Sequence, residues 1–420
     1  MGGQADFPIL LSCVGTMGDL MPVLATGKLM ASAGHPVEIM ANEVFRDHIE
    51  RSGIGFHPIG DKPAFDAFVG GAAWRDKDSG WAAFLREGIL PCVAPAAHYV
   101  ETFAARHGRR CLIVPNNYSY GARWAARAAR LPLLNLAIQP GMLRGLNPAQ
   151  ACGIDLLPGE KASYWRSMRA AESYLYKIYG KQGTGSTTGL AHLFREAEPC
   201  DPDENYLALF PEWFECPSPD WPDNFQQTGF PLIDTGVVEP LSDDVEAFLA
   251  AGADPVGLFC GSFMQEATLF FERGLEACRA AGKRSLIISR YPEDLPSSLP
   301  DDCLVVSQAP FGQLLPRLSA LIHHGGIGTV AQGMAAGLPQ LIMPLRFEQP
   351  DNADGIVRLG GGRVVPLGDS ADVGTIFKDF LAQDGLSETC EKLSASMRLE
   401  NPFNSTIKIM HRVATAHDIG

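Results

Sequence analysis

Short apolar runs alternate with longer stretches of helical period along most of the chain, a pattern typical of a parallel sheet wrapped by helices. In the first half, strands are predicted at residues 8–14, 36–40, near Phe56, and at 111–114, 133–137 and 206–210. In the second half, strands are predicted at 256–260, 285–289, 303–306, 318–323 and 340–344. The pattern therefore indicates two successive α/β series.

Helical periodicity places helix one at about residues 21–33, ended by Gly34, and a last helical stretch at 387–416 with a break at Pro402. Residues 62–105 and 145–195 carry aromatic side chains at helical spacing, and the polar tract 180–189 is predicted to be a mobile loop. Because 420 residues exceed what one core usually serves, we expect two domains. The two domains are predicted at 1–230 and 242–400, and a linker at 231–241 joins them. A last helix is predicted at 401–420, and packing of this helix against the first domain is left open.

Composition narrows the function classes. The formal net charge of −14 argues against nucleic-acid binding and against broad attraction to anionic lipid. Ten cysteines without a Cys-x-x-Cys pair are typical of reduced thiols in the cytoplasm. Neither a signal-peptide core nor a run of 18 apolar residues is present, so a soluble cytoplasmic protein without a membrane span is expected. Transient contact with a membrane surface and the oligomeric state stay open.

The most informative segment is LIHHGGIGTVAQGMAAG, residues 321–337, where the end of a strand leads through glycines into a helix. A glycine-rich bend before a helix leaves backbone N–H groups without partners, and the positive end of the helix dipole points at the same place. Such a place binds phosphate. The imidazole of His323 or His324 can add a further donor, although His323 could equally be a neighbour that only ends the strand.

This segment and the residues after it resemble the nucleotide-sugar signature of family 1 glycosyltransferases, the UDP-glycosyltransferase superfamily with the GT-B fold. The family's His, Gly and Ser/Thr positions match His324, Gly326 and Thr329, and its acid–amide pair for the donor sugar matches Glu348 and Gln349. An Asp-Asn-Ala element follows at 351–353 and a glycine turn at 360–362. The acid is Glu where Asp is commoner, which leaves the sugar open. The resemblance implies an α/β fold of two Rossmann-like parallel-sheet domains facing across a cleft.

The opening of the chain resembles bacterial members, namely the rhamnosyltransferase of rhamnolipid synthesis and sterol glucosyltransferases. Their Gly-x-x-Gly-Asp matches residues 15–19, which assigns Asp19 as the catalytic general base. Glycosyl transfer needs such a base to take the acceptor proton, and it needs donors for the departing diphosphate. The structural alternative for Asp19 is an N-cap of helix one with Pro22 in the first turn, and the two roles are compatible.

The resemblance assigns further residues by position. Gly328 and Ser262 join the diphosphate contacts, although Ser262 could be an ordinary turn residue. By position, Gln308, Ala309 and Arg290 are expected to contact the nucleobase and ribose. No Trp is present there to stack on the base, so the choice between UDP and dTDP is left open. On the acceptor side we expect the following residues: Gly15, Thr16, Asn116, Trp81 and Phe84. For each single aromatic residue, core packing is the competing interpretation.

We therefore expect an inverting glycosyltransferase that moves a hexose from a UDP- or dTDP-sugar, such as UDP-glucose or dTDP-rhamnose, to a hydroxyl of a small lipophilic acceptor. The setting would be natural-product or glycolipid biosynthesis, with no prosthetic group and no metal. Two alternatives remain: a GT-B sugar-nucleotide epimerase, and a non-catalytic nucleotide-sugar-binding subunit. A nicotinamide dehydrogenase is rejected, because the first loop lacks Gly-x-Gly-x-x-Gly and the second strand ends without an acid.

Overall fold

The computed structural model describes residues 6–71, 83–142, 204–217, 221, 224–232, 240–261, 266–345 and 348–416. It divides into two units: unit 1 is Met1–Pro231 with Asn401–Gly420, and unit 2 is Leu232–Glu400. Residues 233–239 of the predicted linker and the whole predicted loop 180–189 lie outside the described residues.

Unit 1 is built from parallel strands with helices between them. Its elements are β1 (Ile9–Ser12), α1 (Met17–Ser32), β2 (Val37–Asn42), α2 (Arg46–Glu50), β3 (Gly55–Gly60), α3 (Lys62–Gly70), a π-helical turn (Phe84–Ile89), α4 (Leu90–Arg106), β4 (Leu112–Pro115), α5 (Tyr120–Ala128), β5 (Leu134–Ala137), β6 (Asn205–Ala208) and β7 (Phe225–Gln227).

Unit 2 repeats this plan, and the last helix of the chain returns to unit 1. The elements are α6 (Asp243–Ala250), β8 (Val256–Phe259), α7 (Ala267–Ala280), β9 (Ser285–Ile288), β10 (Cys303–Val306), α8 (Phe311–Leu314), β11 (Ala320–His323), α9 (Ile327–Ala335), β12 (Gln340–Ile342), α10 (Gln349–Arg358), β13 (Gly362–Val364), α11 (Val373–Leu381), α12 (Leu386–Leu399) and, in unit 1, α13 (Pro402–Thr415).

Both sheets reverse their strand order at one point. In unit 1 the order is β3-β2-β1-β4, and parallel bridges from Ile113 to Leu133 and from Asn116 to Leu136 connect β4 to the sheet β5-β6-β7. In unit 2 the order is β10-β9-β8-β11-β12-β13, and neighbouring strands pair in parallel. Ligands of open α/β sheets bind beyond the carboxyl ends of the strands where the order reverses. This rule selects the segments after β1 and β4 in unit 1 and those after β8 and β11 in unit 2.

The sheet of unit 2 is buried on both faces, as its apolar strands predict. Successive residues of β11 separate onto the two faces: Ile322 packs in a cluster with Phe270 and Phe377, whereas Leu321 packs in a second cluster with Leu286. The strand therefore ends in a rigid position, and the turn that follows it is anchored by a core on either side.

Several predicted bounds need correction. Helix α1 begins at Met17, not near residue 21, because Thr16 is its N-cap; Pro22 consequently lies inside the helix and not in its first turn. Strands β7 and β13 were not predicted, since elements of three residues show little periodicity. Helices α10 and α11 were not predicted either, although the apolar residues of α11 recur at helical spacing. The predicted break at Pro402 is confirmed, with α12 ending before it and α13 beginning at it.

Candidate active site

In unit 1, the turn between β1 and α1 holds a carboxylate in a fixed position. The backbone N–H of Thr16 donates to Oδ2 of Asp19 at 2.7 Å, and the Thr16 hydroxyl donates to the same oxygen at 3.1 Å. Asp19 is the third residue of the helix and Thr16 is its N-cap, which is the geometry of a capping box with Asp in place of Glu. The alternative prediction that Asp19 itself is the N-cap is therefore wrong.

The environment of Asp19 tunes its proton affinity. Burial raises the pKa of the carboxyl to about 6, and the two hydrogen bonds from Thr16 act in the opposite direction. A carboxylate with such a pKa is ionised at neutral pH and still a stronger base than an exposed one. This range suits a general base that works near pH 7.

Gly15 allows the carboxylate to take this position. Its φ is +138°, a conformation that side chains rarely adopt, and a Cβ at this residue would overlap Oδ2 and Cγ of Asp19. Glycine is therefore required at this position for two reasons: the backbone has a positive φ, and the carboxylate of Asp19 fills the space that a side chain would need.

The remaining acceptor-side predictions have different outcomes. Asn116 is buried after β4, with its amide bonded to the backbone of Val14. Phe84 is buried and packs against Phe68 and Tyr118, so its ring belongs to the core of unit 1. Trp81 lies outside the described residues.

In unit 2, the two histidines at the end of β11 have separate roles. His323 is fully buried; its Nε2 donates to Oε1 of Gln340 at 2.9 Å and its Nδ1 accepts from the N–H of Gly325 at 3.1 Å. Burial lowers its pKa to about 3, so it is a neutral structural residue that fastens the turn. The prediction that His323 only ends the strand agrees with these contacts.

His324 is the histidine that is available for a ligand. Its ring is held between two glycines: a Cβ at Gly261 would lie 2.8 Å from Cε1, and one at Gly326 would lie 2.7 Å from Nε2. Burial lowers its pKa to about 4, with the backbone carbonyl of Phe259 acting in the opposite direction, so the imidazole is neutral at pH 7. Nδ1 is buried and makes no hydrogen bond within the described residues.

The start of helix α9 has the properties of an anion site. Gly326 is the N-cap, and no side chain of the described residues caps the helix. Gly328 is exposed, and nothing lies within 4 Å of the place where a Cβ would be, while Thr329 completes the first turn. The first N–H groups of a helix and its dipole attract a phosphate under these conditions. Ser262, the other predicted diphosphate contact, lies outside the described residues.

The glycine turn is tied to the start of α10, which carries the acid–amide pair. Nδ2 of Asn352 donates to the carbonyl of Gly325 at 3.0 Å, and a Cβ at Gly325 would lie 2.9 Å from the carbonyl of Gln349. The amide of Gln349 accepts from the N–H of Leu345 at 2.8 Å, which fixes its orientation, and Glu348 directly precedes it as the N-cap. His324 and the Glu348–Gln349 pair are thus parts of one rigid arrangement.

A third group of predicted residues meets at the carboxyl ends of β9 and β10. Arg290 follows β9, and its Nη2 donates to Oε1 of Gln308, which follows β10, at 3.3 Å. Both side chains are exposed, and Ala309 is half-buried beside them. The exposed ring of Tyr291 adjoins Arg290 in sequence. The structure therefore brings the predicted nucleobase residues together on one edge of the unit 2 sheet.

Unit 1 also contains an open cavity of about 530 Å³ beyond the carboxyl ends of β2 and β3. Its walls are mainly apolar, with Ile59, Phe65 and Phe68 from the α3 side and Pro91 and Pro95 from α4. Its volume is within the range of small-molecule pockets.

Cys92 lines this cavity. Burial raises the pKa of the Cys13 thiol, and the charge of Asp19 and the Cys92 thiol raise it further. Sequence reasoning did not find the cavity; the available signal was polar Asn42 at the end of β2 and Asp61 directly after β3.

Within the described residues, no group of three or more His, Cys, Asp or Glu side chains is arranged to hold a metal ion. The same part of the chain has no helix of sufficient length and apolarity to cross a membrane. The eight cysteines there are free thiols.

Comparisons with known proteins agree with this geometry. Residues 9–90 match the family model described as the glycosyltransferase family 28 N-terminal domain, and residues 286–408 match that of the erythromycin biosynthesis protein CIII-like C-terminal domain. The O-mycaminosyltylonolide 6-deoxyallosyltransferase of Streptomyces fradiae is 28% identical over 382 residues, which cover 86% of each chain. A sterol 3-beta-glucosyltransferase of Arabidopsis thaliana is 24% identical over 95% of this chain and 64% of its own length.

Solved structures give the fold. The glycotransferase of kitacinnamycin superposes with a TM-score of 0.71 at 17% identity, over 97% of this chain and 100% of that one. Glycosyltransferase VinC in complex with dTDP gives 0.68 at 17% identity with the same coverage. Together these similarities support a family 1 glycosyltransferase with the GT-B fold. The predicted α/β fold of parallel-sheet, Rossmann-like domains is thereby confirmed.

This glycosyltransferase transfers a sugar from a nucleotide-sugar donor to an acceptor. Two residues that sequence reasoning did not assign to the site support its geometry. Asn352 ties the histidine turn to α10, and Gly261 gives the His324 ring its space. The signals were present: Asn352 is in the Asp-Asn-Ala element, and Gly261 directly follows a strand at the reversal point.

Proposed function

We propose that this glycosyltransferase inverts the anomeric carbon of a UDP- or dTDP-hexose by direct displacement, with Asp19 as the base and without a metal. The observation that carries the proposal is the carboxylate of Asp19, which is half-buried, is oriented by Thr16 and has its pKa raised by desolvation to about 6. Both Thr16 donors reach Oδ2, so we assign Oδ1 as the oxygen that takes the proton. One displacement at one carbon inverts its configuration.

The step balances without an added reagent. The acceptor oxygen forms a bond to the anomeric carbon as its proton passes to Asp19, and the bond from that carbon to the diphosphate oxygen breaks. The electron pair of that bond leaves with the nucleoside diphosphate. Its charge needs donors that are already in place.

The donors come from unit 2 in this proposal. The uncapped start of α9 at Gly326, Gly328 and Thr329 would hold the diphosphate through backbone N–H groups, and neutral His324 would donate from its ring. Each such hydrogen bond to a charged group contributes about 1.5–3 kcal/mol. Ser262 is included on the resemblance alone. Glu348 and Gln349 would bind hydroxyls of the sugar.

We further propose that Arg290, Gln308 and Ala309 contact the nucleobase and ribose, supported by the Arg290–Gln308 hydrogen bond. The apolar cavity of about 530 Å³ in unit 1 would receive the body of a small lipophilic acceptor. This location is supported by the apolar side chains of Ile59, Phe65 and Phe68 along its walls.

The donor is tested first by a thermal-shift screen with UDP, dTDP and GDP. Stabilisation by UDP or dTDP is expected, and no shift with either would refute the donor assignment. The stabilising nucleotide then selects the sugar donors, which are incubated with a panel of lipophilic alcohols and analysed by mass spectrometry. A product whose anomeric proton shows retained configuration would overturn the inverting mechanism, and a changed sugar nucleotide formed without acceptor would indicate an epimerase.

The base is tested by Asp19→Asn, with Asp47→Asn as the matched control. Asp47 is an exposed acid of unit 1 that forms an ion pair with Arg51, so its loss removes the same charge away from the proposed site. We expect Asp19→Asn to lower turnover by about two to four orders of magnitude while the nucleotide thermal shift stays, since a positioned base contributes that much. Equal turnover in both variants would remove Asp19 from the mechanism. Retained turnover in excess chelator is expected for metal independence.

A further inference from the structure

Asn116 occupies the reversal point of the unit 1 sheet, directly after β4. Ser12 of β1 pairs with Pro115 of β4, and the N–H of Asn116 donates to the carbonyl of Ser12 at 2.8 Å. Its side chain is 3% exposed and therefore has no surface to offer to a substrate.

The carboxamide extends the strand pairing by one further residue. Oδ1 accepts from the N–H of Val14 at 3.2 Å, and Nδ2 donates to the carbonyl of the same residue at 2.9 Å. The hydroxyl of Ser119 donates to Oδ1 at 2.7 Å and holds the amide plane. Only a carboxamide presents a donor and an acceptor together in this way at neutral pH, so Leu, Ser or an ionised Asp cannot replace both bonds.

Val14, which the Asn116 carboxamide holds through these two hydrogen bonds, is the residue at which the β1–α1 turn begins. Val14 is followed by Gly15 in its left-handed conformation and then by Thr16, whose N–H and hydroxyl orient Asp19. Gly15 has little conformational preference of its own, so the direction of the Thr16 N–H depends on how Val14 is fixed. The fixing contact comes from a residue 102 positions later in the chain.

We propose that Asn116 is a positioning residue for the base: it fixes the backbone of Val14 and thereby aims the Thr16 donors that orient Asp19. It touches neither substrate, in contrast to the acceptor contact that its position in the sequence predicted. The proposal rests on the proposed role of Asp19 as the general base.

The first test compares Asn116→Leu with Asn135→Leu. Asn135 of β5 is equally buried and bonds to Glu204 at 2.7 Å, so its loss also disrupts a buried amide in unit 1 but leaves the β1–α1 turn intact. We expect Asn116→Leu to lower kcat by about one to two orders of magnitude, since a misplaced catalytic group costs that much. The KM for the sugar donor and the nucleotide thermal shift should stay unchanged. Asn135→Leu should lose thermal stability and keep kcat.

The pH dependence of kcat gives a readout that a purely structural role would not change. The Thr16 hydrogen bonds lower the pKa of Asp19, so their loss in Asn116→Leu should move the acidic limb of the profile upward. The titratable neighbours in the described part of unit 1 are Cys13 and, beyond it, Cys92, and burial raises the pKa of both thiols far above this limb. A limb that stays in place while kcat falls would overturn the proposal.

Two further variants keep the outcomes distinct. Asn116→Asp preserves the shape if the leucine variant does not fold; once ionised it opposes the Val14 carbonyl, so kcat near neutral pH should again fall with a raised limb. In an Asp19→Asn background, Asn116→Leu should cost no further turnover, because its effect passes through the carboxylate. A full additional loss there contradicts the positioning role. Wild-type turnover of Asp19→Asn alone would instead remove the base assignment and leave Asn116 as a structural residue.

Discussion

The β1–α1 turn of unit 1 and the β11–α9 turn of unit 2 are both strand–turn–helix junctions beside the point where the strand order reverses, and they differ in what occupies the helix start. In α1, Asp19 at the third helical position bonds back to the N-cap Thr16. In α9, the N-cap is Gly326 and the third position is Thr329, and no described side chain caps the helix.

This difference separates two kinds of chemistry. A helix whose first turn carries a carboxylate bonded to the N-cap N–H repels a second anion, and the helix dipole lowers the cost of keeping that half-buried carboxylate ionised. A helix that starts with glycines leaves its N–H groups for a ligand. In the function that we propose, one such junction supplies the base and the other supplies the phosphate site, and the third helical position is Asp19 in the first and Thr329 in the second.

The largest effect is expected when the β11–α9 turn is given an acid at the third helical position, as the β1–α1 turn has. Thr329→Asp places an acid at the third position of α9, where it would cap the helix and oppose the diphosphate. Two unit charges about 4 Å apart near a protein surface interact by roughly 4 kcal/mol, so nucleotide affinity should fall by about three orders of magnitude. Isothermal titration calorimetry measures it.

Thr329→Val is the matched control for this substitution, since it keeps the shape without the charge. We expect its nucleotide affinity to fall by no more than about 10- to 100-fold, because at most one hydrogen bond to the diphosphate is lost. If both variants bind equally well, the start of α9 does not hold the diphosphate.

The second largest effect on activity is expected from a side chain added at Gly15 in the β1–α1 turn. Gly15→Ala would push a methyl group into the carboxylate of Asp19, and its φ of +138° adds strain. Turnover should fall by about two orders of magnitude, as expected for a misplaced catalytic group, with nucleotide binding unchanged.

Gly53→Ala separates strain from displacement of the carboxylate. Gly53 also has a positive φ, +78°, but nothing lies within 4 Å of the added methyl group. It should lose roughly 1–2 kcal/mol of stability and no turnover. Similar turnover in the two variants would show that the close approach of Gly15 to Asp19 has no catalytic role.

A smaller effect is expected at the ligand side of the second turn. His324→Ala removes one donor to the diphosphate, worth about 1.5–3 kcal/mol, so nucleotide affinity should weaken by about 10- to 100-fold. His98→Ala, at an exposed position of α4, is the control and should bind as the parent does. Unchanged affinity in His324→Ala would leave the backbone of α9 as the sole phosphate contact.

The local parts of this comparison could be predicted from the sequence. His324, Gly326 and Glu348 lie within about 25 residues, and the glycines that bend the chain mark the phosphate turn directly. Asp19 follows the first strand by a few residues, so the rule for strand ends was sufficient to place it.

The parts that depend on distant contacts could not be predicted. Asn116 faces inward because Val14, about a hundred residues earlier, offers it a donor and an acceptor. His323 is structural because Gln340 reaches it from the next strand. The start of α1 was placed four residues late, since Pro22 suggested a first turn and the capping by Thr16 outweighed it.

The smallest expected effect tests how finely Thr16 tunes the base. Thr16→Ala removes the hydroxyl donor to Asp19 and keeps the backbone donor. A hydrogen bond to the ionised form lowers a pKa, so its loss should raise the acidic limb of kcat from near 6 by less than about one pH unit, with kcat at high pH little changed.

Thr26→Ala is the matched control for the Thr16 substitution. Thr26 lies on the same helix, and its hydroxyl bonds the carbonyl of Pro22 at 2.9 Å, away from the carboxylate. Its acidic limb should coincide with that of the parent. If Thr16→Ala does the same, the backbone N–H alone sets the basicity of Asp19, and the self-capping of α1 then matters for where the carboxylate lies and not for how strongly it takes a proton.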